Sequence, residues 1–355
     1  MYSVPTMTQL QEHARKLYDF CEYPAVRYKI TYHYLGAAYD SPELCALRPA
    51  FLHSDIVQEL YDAQSSHGDW GPLFNKDYSD KTSPFPTTQV AIQRCLRLGL
   101  TLDERDILAS ALDYIAQYLE GRHQDKLYNR NERALPWQLA ELAYIVELLH
   151  PDNPLCDAIY DQWLYICNMA FADGTYSYER DAAAQHDILF TREKRLVPLP
   201  VFLLHSRRER VPEALEIAML PHFGKHGYEN GFLWCKPVTE YPPVFQHKHT
   251  RRWFPTYHYI NQFQGSAEYL HEAVDWLMQQ QNENGLWDYG PQTKDPWGYM
   301  GYFSKTRQYP HNRVVDCTLE VLDFLLEYIH RNTIQPAAAL HPLFTTPAFP
   351  TPGSQ

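Results

Sequence analysis

Apolar residues recur with helical spacing in a series of segments along the chain, and proline opens most of these segments. Proline is favoured at the first position of a helix, because its missing N–H is not needed there and its φ is already set. The pattern predicts six helices that begin at Pro24, Pro86, Pro136, Pro198, Pro255 and Asp316. A second set of six is predicted over residues 8–19, 52–66, 104–119, 153–169, 211–223 and 266–281. We therefore expect six helix pairs and little or no strand.

Two segments share the pattern Q-x-x-x-G-x-W. They run from Gln64 to Trp70 and from Gln281 to Trp287, and their glycines lie 217 residues apart. Weaker copies occur near Gly121, Gly174 and Gly231. In such a turn we expect Gly to relax the backbone, Trp to pack against a neighbouring helix and Gln to cap the carbonyls of the preceding helix. Repeats of about 50–62 residues with one handedness predict a single all-α domain, an (α/α)6 toroid over residues 1–333, followed by a Pro-rich tail over residues 334–355.

Composition narrows the class of protein. The chain has 355 residues, of which 45% are hydrophobic, and a formal net charge of −12, so it can bury a core and lacks the basic surface of a general nucleic-acid binder. Its seven cysteines are scattered without a C-x-x-C pair, which favours a reducing compartment over a disulfide framework or zinc ribbon. No secretory signal and no membrane-spanning apolar run is visible, so a cytoplasmic location is expected. The sequence does not indicate the oligomeric state.

The repeated Q-x-x-x-G-x-W turns resemble the QW-type repeats of squalene and oxidosqualene cyclases and of the related protein prenyltransferase β subunits. The segment from Asp316 to Glu320, DCTLE, is also similar to the Asp-Cys-Thr-Ala-Glu motif of oxidosqualene cyclases, with Leu in place of Ala. This resemblance implies that Asp316 is the general acid for an isoprenoid substrate in a central cavity. The chain has about half the length of those two-domain cyclases, and it lacks the D-x-D-D and D-D-x-x-D motifs of terpenoid enzymes. Adjacent Asp316 and Cys317 do not match the zinc-ligand spacing of prenyltransferases, so we predict neither a metal nor a cofactor.

The sequence leaves two roles open for Asp316. As the first residue of a helix it would be an N-cap, ionised and with a lowered pKa. As a general acid it would need an apolar pocket that keeps its proton at neutral pH, and nearby aromatic residues such as Trp297 can supply one. His258 and Glu320 are candidate acid–base helpers.

Arginine occupies the third position before four of the six predicted helix starts. If those starts lie at one rim of a toroid, the guanidinium groups and the helix N-termini together form a site for diphosphate, phosphate or carboxylate. The alternative is that each arginine pairs with a carboxylate of its own repeat. The four residues are Arg133, Arg195, Arg252 and Arg313.

Aromatic residues crowd the segment that begins near Pro255. Trp253, Tyr257 and Tyr259, together with Trp297, either line a cavity in which ring faces stabilise a carbocation or belong to the ordinary core. The H-x-H pair at His247 and His249 has no Cys or carboxylate at matching spacing, which argues against a metal site.

Three functions remain from these patterns. The first is a terpenoid-cyclase-like enzyme, a lyase or isomerase, that acts on a hydrophobic and sometimes diphosphate-bearing small molecule. The second is a polysaccharide-lyase or glycosidase-type toroid acting on an anionic sugar. In this function Arg252 would neutralise the carboxylate of the sugar, and Tyr257, His258 and Asn261 would transfer protons. The third is a non-catalytic toroidal binding module. A dry aromatic cavity favours the first, an open polar groove the second, and a filled centre the third.

Overall fold

The computed structural model describes residues 4–71, 73, 85, 87–100, 102, 106–121, 135–189, 198–226, 241–246, 250–291 and 309–333. Every regular element in these ranges is helical, as the sequence pattern predicts, and the ranges contain no strand. The α-helices are α1 (Met7–Phe20), α2 (Pro24–Lys29), α3 (Pro42–Leu52), α4 (Asp55–Ala63), α5 (Thr88–Leu98), α6 (Asp106–Leu119), α7 (Leu135–Leu149), α8 (Asp157–Ala170), α9 (Tyr178–Leu189), α10 (Pro198–Ser206), α11 (Glu213–His226), α12 (Thr250–Ile260), α13 (Ala267–Met278) and α14 (Pro310–Thr333). The predicted tail, residues 334–355, lies outside the described residues.

Three of the predicted helix starts are confirmed. Pro24 is the first residue of α2, Pro198 is the first of α10, and Pro136 is the second of α7. Pro86 lies outside the described residues, and α5 begins two positions later at Thr88. Proline therefore marks the beginning of these helices through its fixed φ.

Two of the predicted starts are wrong. Pro255 is the sixth residue of α12, and Asp316 is the seventh residue of α14, which begins at Pro310. Pro310 supplies the same fixed φ six residues earlier, and Val314 and Val315 bury their side chains within this added length. The helix pattern was correct, but the helix extends further towards the N-terminus than the repeat interval indicates.

Two helices were not predicted, α3 and α9. Ser41 caps α3 by accepting a hydrogen bond from the backbone N–H of Leu44, at 3.3 Å from Oγ, and Pro42 follows the cap. Because a Ser-Pro start of this kind is readable in the sequence, α3 was detectable. α9 packs against α8, so it is an addition beside the fourth of the predicted pairs.

The first Q-x-x-x-G-x-W turn joins α4 to the helices that follow. The indole N–H of Trp70 donates to the carbonyl of Leu60 at 2.8 Å, and its backbone N–H donates to Oγ1 of Thr88 at 2.9 Å. The amide of Gln64 donates to the carbonyl of Ile107 in α6, at 2.9 Å. The expectation that this glutamine caps the preceding helix is therefore wrong, because its amide reaches the first turn of a later helix instead.

The second turn repeats these bonds at the other end of the chain. The indole N–H of Trp287 donates to the carbonyl of Leu277 at 2.8 Å, and its backbone N–H donates to Oγ1 of Thr318 at 3.0 Å. Thr318 lies two residues after Asp316, as Thr88 lies two residues after Pro86. The two turns are thus equivalent in structure as well as in sequence.

Six helices contact one another in succession: α2 with its π-helical continuation Ile30–Tyr34, α5, α7, α10, α12 and α14. We call them the six contacting helices. The last of them also contacts the first. The side-chain contacts that join them are Lys29 with Arg97, Gln89 with Glu141, Tyr144 with Phe202, Phe202 with Tyr259, Phe254 with Phe324, and Tyr34 with Asp323.

The first and last helices of the described chain are neighbours. α1 packs against α14, and the ring of His13 lies edge-on to that of Trp287 with centroids 5.1 Å apart. None of the described helices combines the length and the apolar character that crossing a membrane requires.

Candidate functional site

Four carboxylates occupy one face of α14. Asp316, Glu320, Asp323 and Glu327 follow one another at intervals of four, three and four residues, which places them on one side of a helix. Asp316 and Glu327 are buried, whereas Glu320 and Asp323 are half-buried. We call this row the α14 acidic stripe.

Asp323 is bound from the first of the six contacting helices. Nζ of Lys29 lies 2.8 Å from Oδ2, and the hydroxyl of Tyr34 donates to Oδ1 at 2.6 Å. An α-helix would turn residues five apart by about 140°, so the two side chains would diverge. The π-helical turn Ile30–Tyr34 brings them to the same carboxylate. The buried Lys29 also donates to the carbonyl of Arg97 at 3.0 Å.

Glu327 is the last member of the stripe along α14, and it is buried. Burial raises the pKa of its carboxyl to about 7, although the Arg331 charge and a hydrogen bond from Gln262 oppose the rise. Nε2 of Gln262 donates to Oε1 at 2.6 Å, and Nη2 of Arg331 lies 3.9 Å from Oε1. At neutral pH this carboxyl is therefore divided between its protonated and ionised forms.

Glu141 is a second carboxyl with a pKa near neutrality, and it lies on α7. Burial raises its pKa to about 7, while a hydrogen bond from Gln89 of α5 opposes the rise. Its side chain is nevertheless half-buried rather than closed off. Glu141 thus combines a strongly desolvated carboxyl with a residue that keeps some exposure.

The helices on both sides of Glu141 present further half-buried polar groups. On α5 these are Gln89, Gln93 and Arg97, at four-residue spacing and hence on one face. On α7, Tyr144 lies one turn after Glu141 and is also half-buried. The half-buried polar residues of α5 and α7 are therefore the described groups nearest in kind and position to Glu141.

His258 belongs to the same group of half-buried side chains. Burial lowers the pKa of its imidazole to about 4, and Asp323 and a hydrogen bond to the backbone of Glu320 oppose the change. The ring lies edge-on to Phe254 and Phe324, at centroid distances of 5.1 and 5.4 Å. His258 is consequently neutral at physiological pH and can accept or donate one hydrogen bond. The predicted helper Glu320 accepts a hydrogen bond from the hydroxyl of Tyr289, at 2.9 Å.

Asp316 is buried near the connection between α1 and α2. Burial raises the pKa of the Cys21 thiol to about 11, and the charge of Asp316 adds to this rise. The same charge helps to raise the pKa of Tyr23, where desolvation is the main cause. Since Asp316 is the seventh residue of α14, it is not the N-cap of that helix, and the capping alternative is wrong.

Only one side chain of the predicted arginine rim is described. Arg313 makes a bidentate pair with Asp288, with Nε–Oδ1 and Nη2–Oδ2 distances of 2.5 and 2.8 Å. Asp288 belongs to the same repeat, so this geometry favours the structural alternative for Arg313. Arg133 and Arg195 lie outside the described residues, and the side chain of Arg252 is not described.

The described aromatic candidates belong to the core. Tyr259 of α12 is buried, and its ring centroid lies 5.4 Å from that of Phe202 in α10 and 5.0 Å from that of Phe223 in α11. It also lies 5.9 Å from that of Phe263, just after α12. Tyr257 is likewise completely buried. For Tyr259 the contacts favour the core alternative over a cavity face. Trp297 and the side chain of Trp253 lie outside what is described.

The sequence patterns missed the two carboxyls with near-neutral pKa. Glu141 lies among alanine and leucine residues in the middle of a largely apolar predicted helix, and a charged residue in such a position was a detectable signal. The intervals of four, three and four in α14 were also readable from the sequence. Among the described residues, no group of three or more His, Cys, Asp or Glu side chains is arranged to hold a metal ion.

Comparison of the chain with protein-family models, with curated proteins and with solved structures finds no match in any of the three. The resemblance to the QW-repeat cyclases and prenyltransferases is therefore carried by the motifs in this sequence alone and stays a prediction.

Proposed function

We propose that this chain is an α/α toroid whose six contacting helices form the inner layer, and that it performs general acid–base catalysis on a polar, carbohydrate-like substrate in the centre. Two observations support the architecture. The six helices contact one another in chain order and the last contacts the first, and equivalent Trp–Thr hydrogen bonds occur at Trp70 and Trp287. We assign the second layer to the helices that contact them from outside, which are α1, α4, α6, α8, α11 and α13.

Glu141 carries the proposal for the chemistry. An effective general acid has a pKa near the working pH and lies where a substrate can reach it. Both Glu141 and Glu327 have a pKa of about 7 because of burial, and each accepts a hydrogen bond from a glutamine amide. Glu141 is only half-buried, whereas Glu327 is buried. We therefore assign proton donation to Glu141.

The polar surroundings favour a sugar-like substrate over an isoprenoid. A carbocation is stabilised by aromatic faces and quenched by groups that can add to it or remove its proton. The half-buried side chains beside Glu141 are amides, a guanidinium and a phenol, which instead suit the hydroxyl groups of a carbohydrate. The second of the functions drawn from the sequence is thus the best supported.

The test is a turnover assay on matched neutral and uronate-containing oligosaccharides. Hydrolysis is followed by new reducing ends, and elimination by the ultraviolet absorbance of the unsaturated product. Glu141→Gln keeps an amide partner for Gln89 and removes the proton. We expect turnover to fall by about 10²–10⁴-fold, the usual contribution of a general acid.

The matched control is Glu213→Gln, a change of the same kind at an exposed position in the first turn of α11. It should retain wild-type turnover. Full activity in Glu141→Gln would remove Glu141 from the mechanism, and absence of turnover on every oligosaccharide would contradict the carbohydrate proposal.

A second candidate function is the terpenoid-cyclase-like activity, with Asp316 as the acid. One observation favours it: Asp316 is buried inside α14 and not used as an N-cap, so the role that competed with acid catalysis is gone. Asp316→Asn retains the size and polarity of the side chain and removes its proton. If prenyl diphosphates or their epoxides are converted and this variant alone abolishes conversion, the cyclase proposal replaces the carbohydrate one.

A further inference from the structure

Three basic side chains meet beside the ends of α10 and α14. His205 lies in the last turn of α10, Arg208 follows in the 3₁₀ turn Arg208–Arg210, and Arg331 lies in the last turn of α14. Burial lowers the pKa of His205 well below its usual value, and the charges of Arg208 and Arg331 lower it further. Contacts link the three residues: His205 and Arg208 both lie beside Oε1 of Glu216, and Arg208 donates to the carbonyl of Gln262 at 3.2 Å. The amide of Gln262 in turn binds Glu327, the neighbour of Arg331. We call these three residues the basic cluster.

Two members of the cluster have unused hydrogen-bonding capacity. Neither ring nitrogen of buried His205 has a hydrogen-bond partner among the described residues. The side chain of Arg331 is only 7% exposed and also makes no hydrogen bond within the described part of the chain, its nearest carboxylate being that of Glu327 at 3.9 Å. A guanidinium has five N–H donors, so Arg331 can bind further acceptors, and burying the two ring nitrogens of His205 without partners costs free energy.

The carboxylates around the cluster do not fill this capacity. Glu216 is occupied by Arg208 and by the backbone N–H of Gln264, and its Oε1 lies 4.0 Å from Nε2 of His205. Glu327 accepts from Gln262, and its pKa of about 7 means that its charge is incomplete at neutral pH. Both carboxylates are thus already held by donors other than His205 and Arg331.

We propose that the basic cluster is a binding site for the oxyanion group of a small ligand: a sulfate, a phosphate or a carboxylate. The unbonded N–H groups of Arg331 hold two oxygens of this group, and the neutral imidazole of His205 donates one more hydrogen bond. Arg208 supplies the second positive charge, and its side chain, 20% exposed, lies at the solvent side through which the ligand enters. The site does not depend on the proposed catalysis, because binding is measured without turnover.

The experiment is a titration of the full-length protein with sodium sulfate, followed by isothermal calorimetry and by thermal unfolding, with sodium chloride at equal ionic strength as the reference. Sulfate stabilises proteins without saturation through exclusion from their surface, so only a saturable component counts as binding. Phosphate and acetate are titrated in parallel to rank the oxyanions. We expect saturable binding to the wild-type protein.

Arg331→Gln is the test variant, and Arg210→Gln is its matched control. Arg210 lies two residues after Arg208 but is exposed and pairs with Asp161 at 2.6 Å. We expect the dissociation constant to rise at least tenfold in Arg331→Gln and to stay within twofold in Arg210→Gln. Equal affinity in both variants, or no saturable binding of any oxyanion to the wild type, would overturn the proposal.

A measurement on the wild-type protein covers the case in which Arg331→Gln does not fold. The imidazole nitrogens of His205, labelled with ¹⁵N, should shift on saturation with sulfate at constant ionic strength, because one of them gains a hydrogen-bond partner. Unchanged His205 resonances at saturating sulfate would place the ion elsewhere and contradict the site.

Discussion

The two equivalent glycines of the Q-x-x-x-G-x-W turns should differ sharply in their tolerance of a methyl group. Gly68 and Gly285 both have left-handed backbones, with φ of +88° and +70°. A Cβ at Gly68 would lie 2.2 Å from the backbone oxygen of Ser110 in α6. A Cβ at Gly285 would meet Nζ of Lys16 at 3.0 Å, the end of a flexible side chain that can move away. The same substitution therefore displaces a helix backbone in one repeat and a mobile chain end in the other.

The magnitude follows from two contributions. An L-residue in the left-handed region costs about 1–2 kcal/mol, and this applies to both positions. Forcing an extra carbon into a filled space costs about 1–3 kcal/mol more, and this applies to Gly68. We expect Gly68→Ala to lower the free energy of unfolding by about 2–5 kcal/mol and Gly285→Ala by about 1–2 kcal/mol. Gly36, with φ of +72° and no atom within 4 Å of an added Cβ, gives the backbone cost alone.

Urea unfolding, followed by far-ultraviolet circular dichroism, measures the three alanine variants. Gly285→Ala should resemble Gly36→Ala, and Gly68→Ala should be the least stable. If Gly68→Ala and Gly285→Ala lose equal stability, the close approach of the first turn to α6 is wrong, and with it the packing that we derive for this repeat.

Two further predictions concern the candidate site. Lys29→Met leaves Asp323 without its buried cation and should lower the free energy of unfolding, measured with urea, by about 3–5 kcal/mol. Adding Asp323→Asn should restore at least half of the lost stability. No recovery in the double variant would refute the pairing. Burial raises the pKa of Glu141 and Glu327 to about 7 in the folded protein, from about 4.3 in the unfolded chain. Each carboxyl therefore contributes stability at low pH that is lost as the pH rises from about 4.5 to 7. The loss is at most about 1.4 kcal/mol per pH unit for each carboxyl. His258, whose pKa is lowered, has the opposite effect on stability between about pH 4 and 6.5. The quantity to measure is therefore the difference in the free energy of unfolding between the wild type and each Glu→Gln variant across about pH 5–8. A difference that does not change with pH would contradict the raised pKa values.

Local sequence determined most of the secondary structure. Proline at Pro24, Pro136 and Pro198 fixes φ and lacks an N–H, so each marks a helix start wherever the chain folds. The Q-x-x-x-G-x-W pattern specified a turn in which the tryptophan of each copy makes the same two hydrogen bonds. These features depend on residues close together in sequence or on a repeated spacing, which is why they were readable.

The site depended on contacts that no local pattern contains. Whether Asp316 was a cap or an internal residue was decided by Pro310 and by the burial of Val314 and Val315, which lengthen α14. The near-neutral pKa of Glu141 arises from desolvation between α5 and α7, and desolvation is a property of the packed interior. The sequence left open whether Arg313 binds an anionic ligand or a carboxylate of its own repeat. The structure shows that it binds Asp288, 25 residues earlier in the chain.

The sequence by itself determined that this chain is helical, repeated and able to bury a core, because proline, glycine and apolar spacing act over a few residues. Only the tertiary structure decided which polar side chains are buried together. Lys29 reaches Asp323 across 294 residues of sequence, and His205 and Arg331 come from helices that the chain makes far apart. Burial changes the charge and the hydrogen-bonding capacity of such groups, and it exists only after the helices have packed.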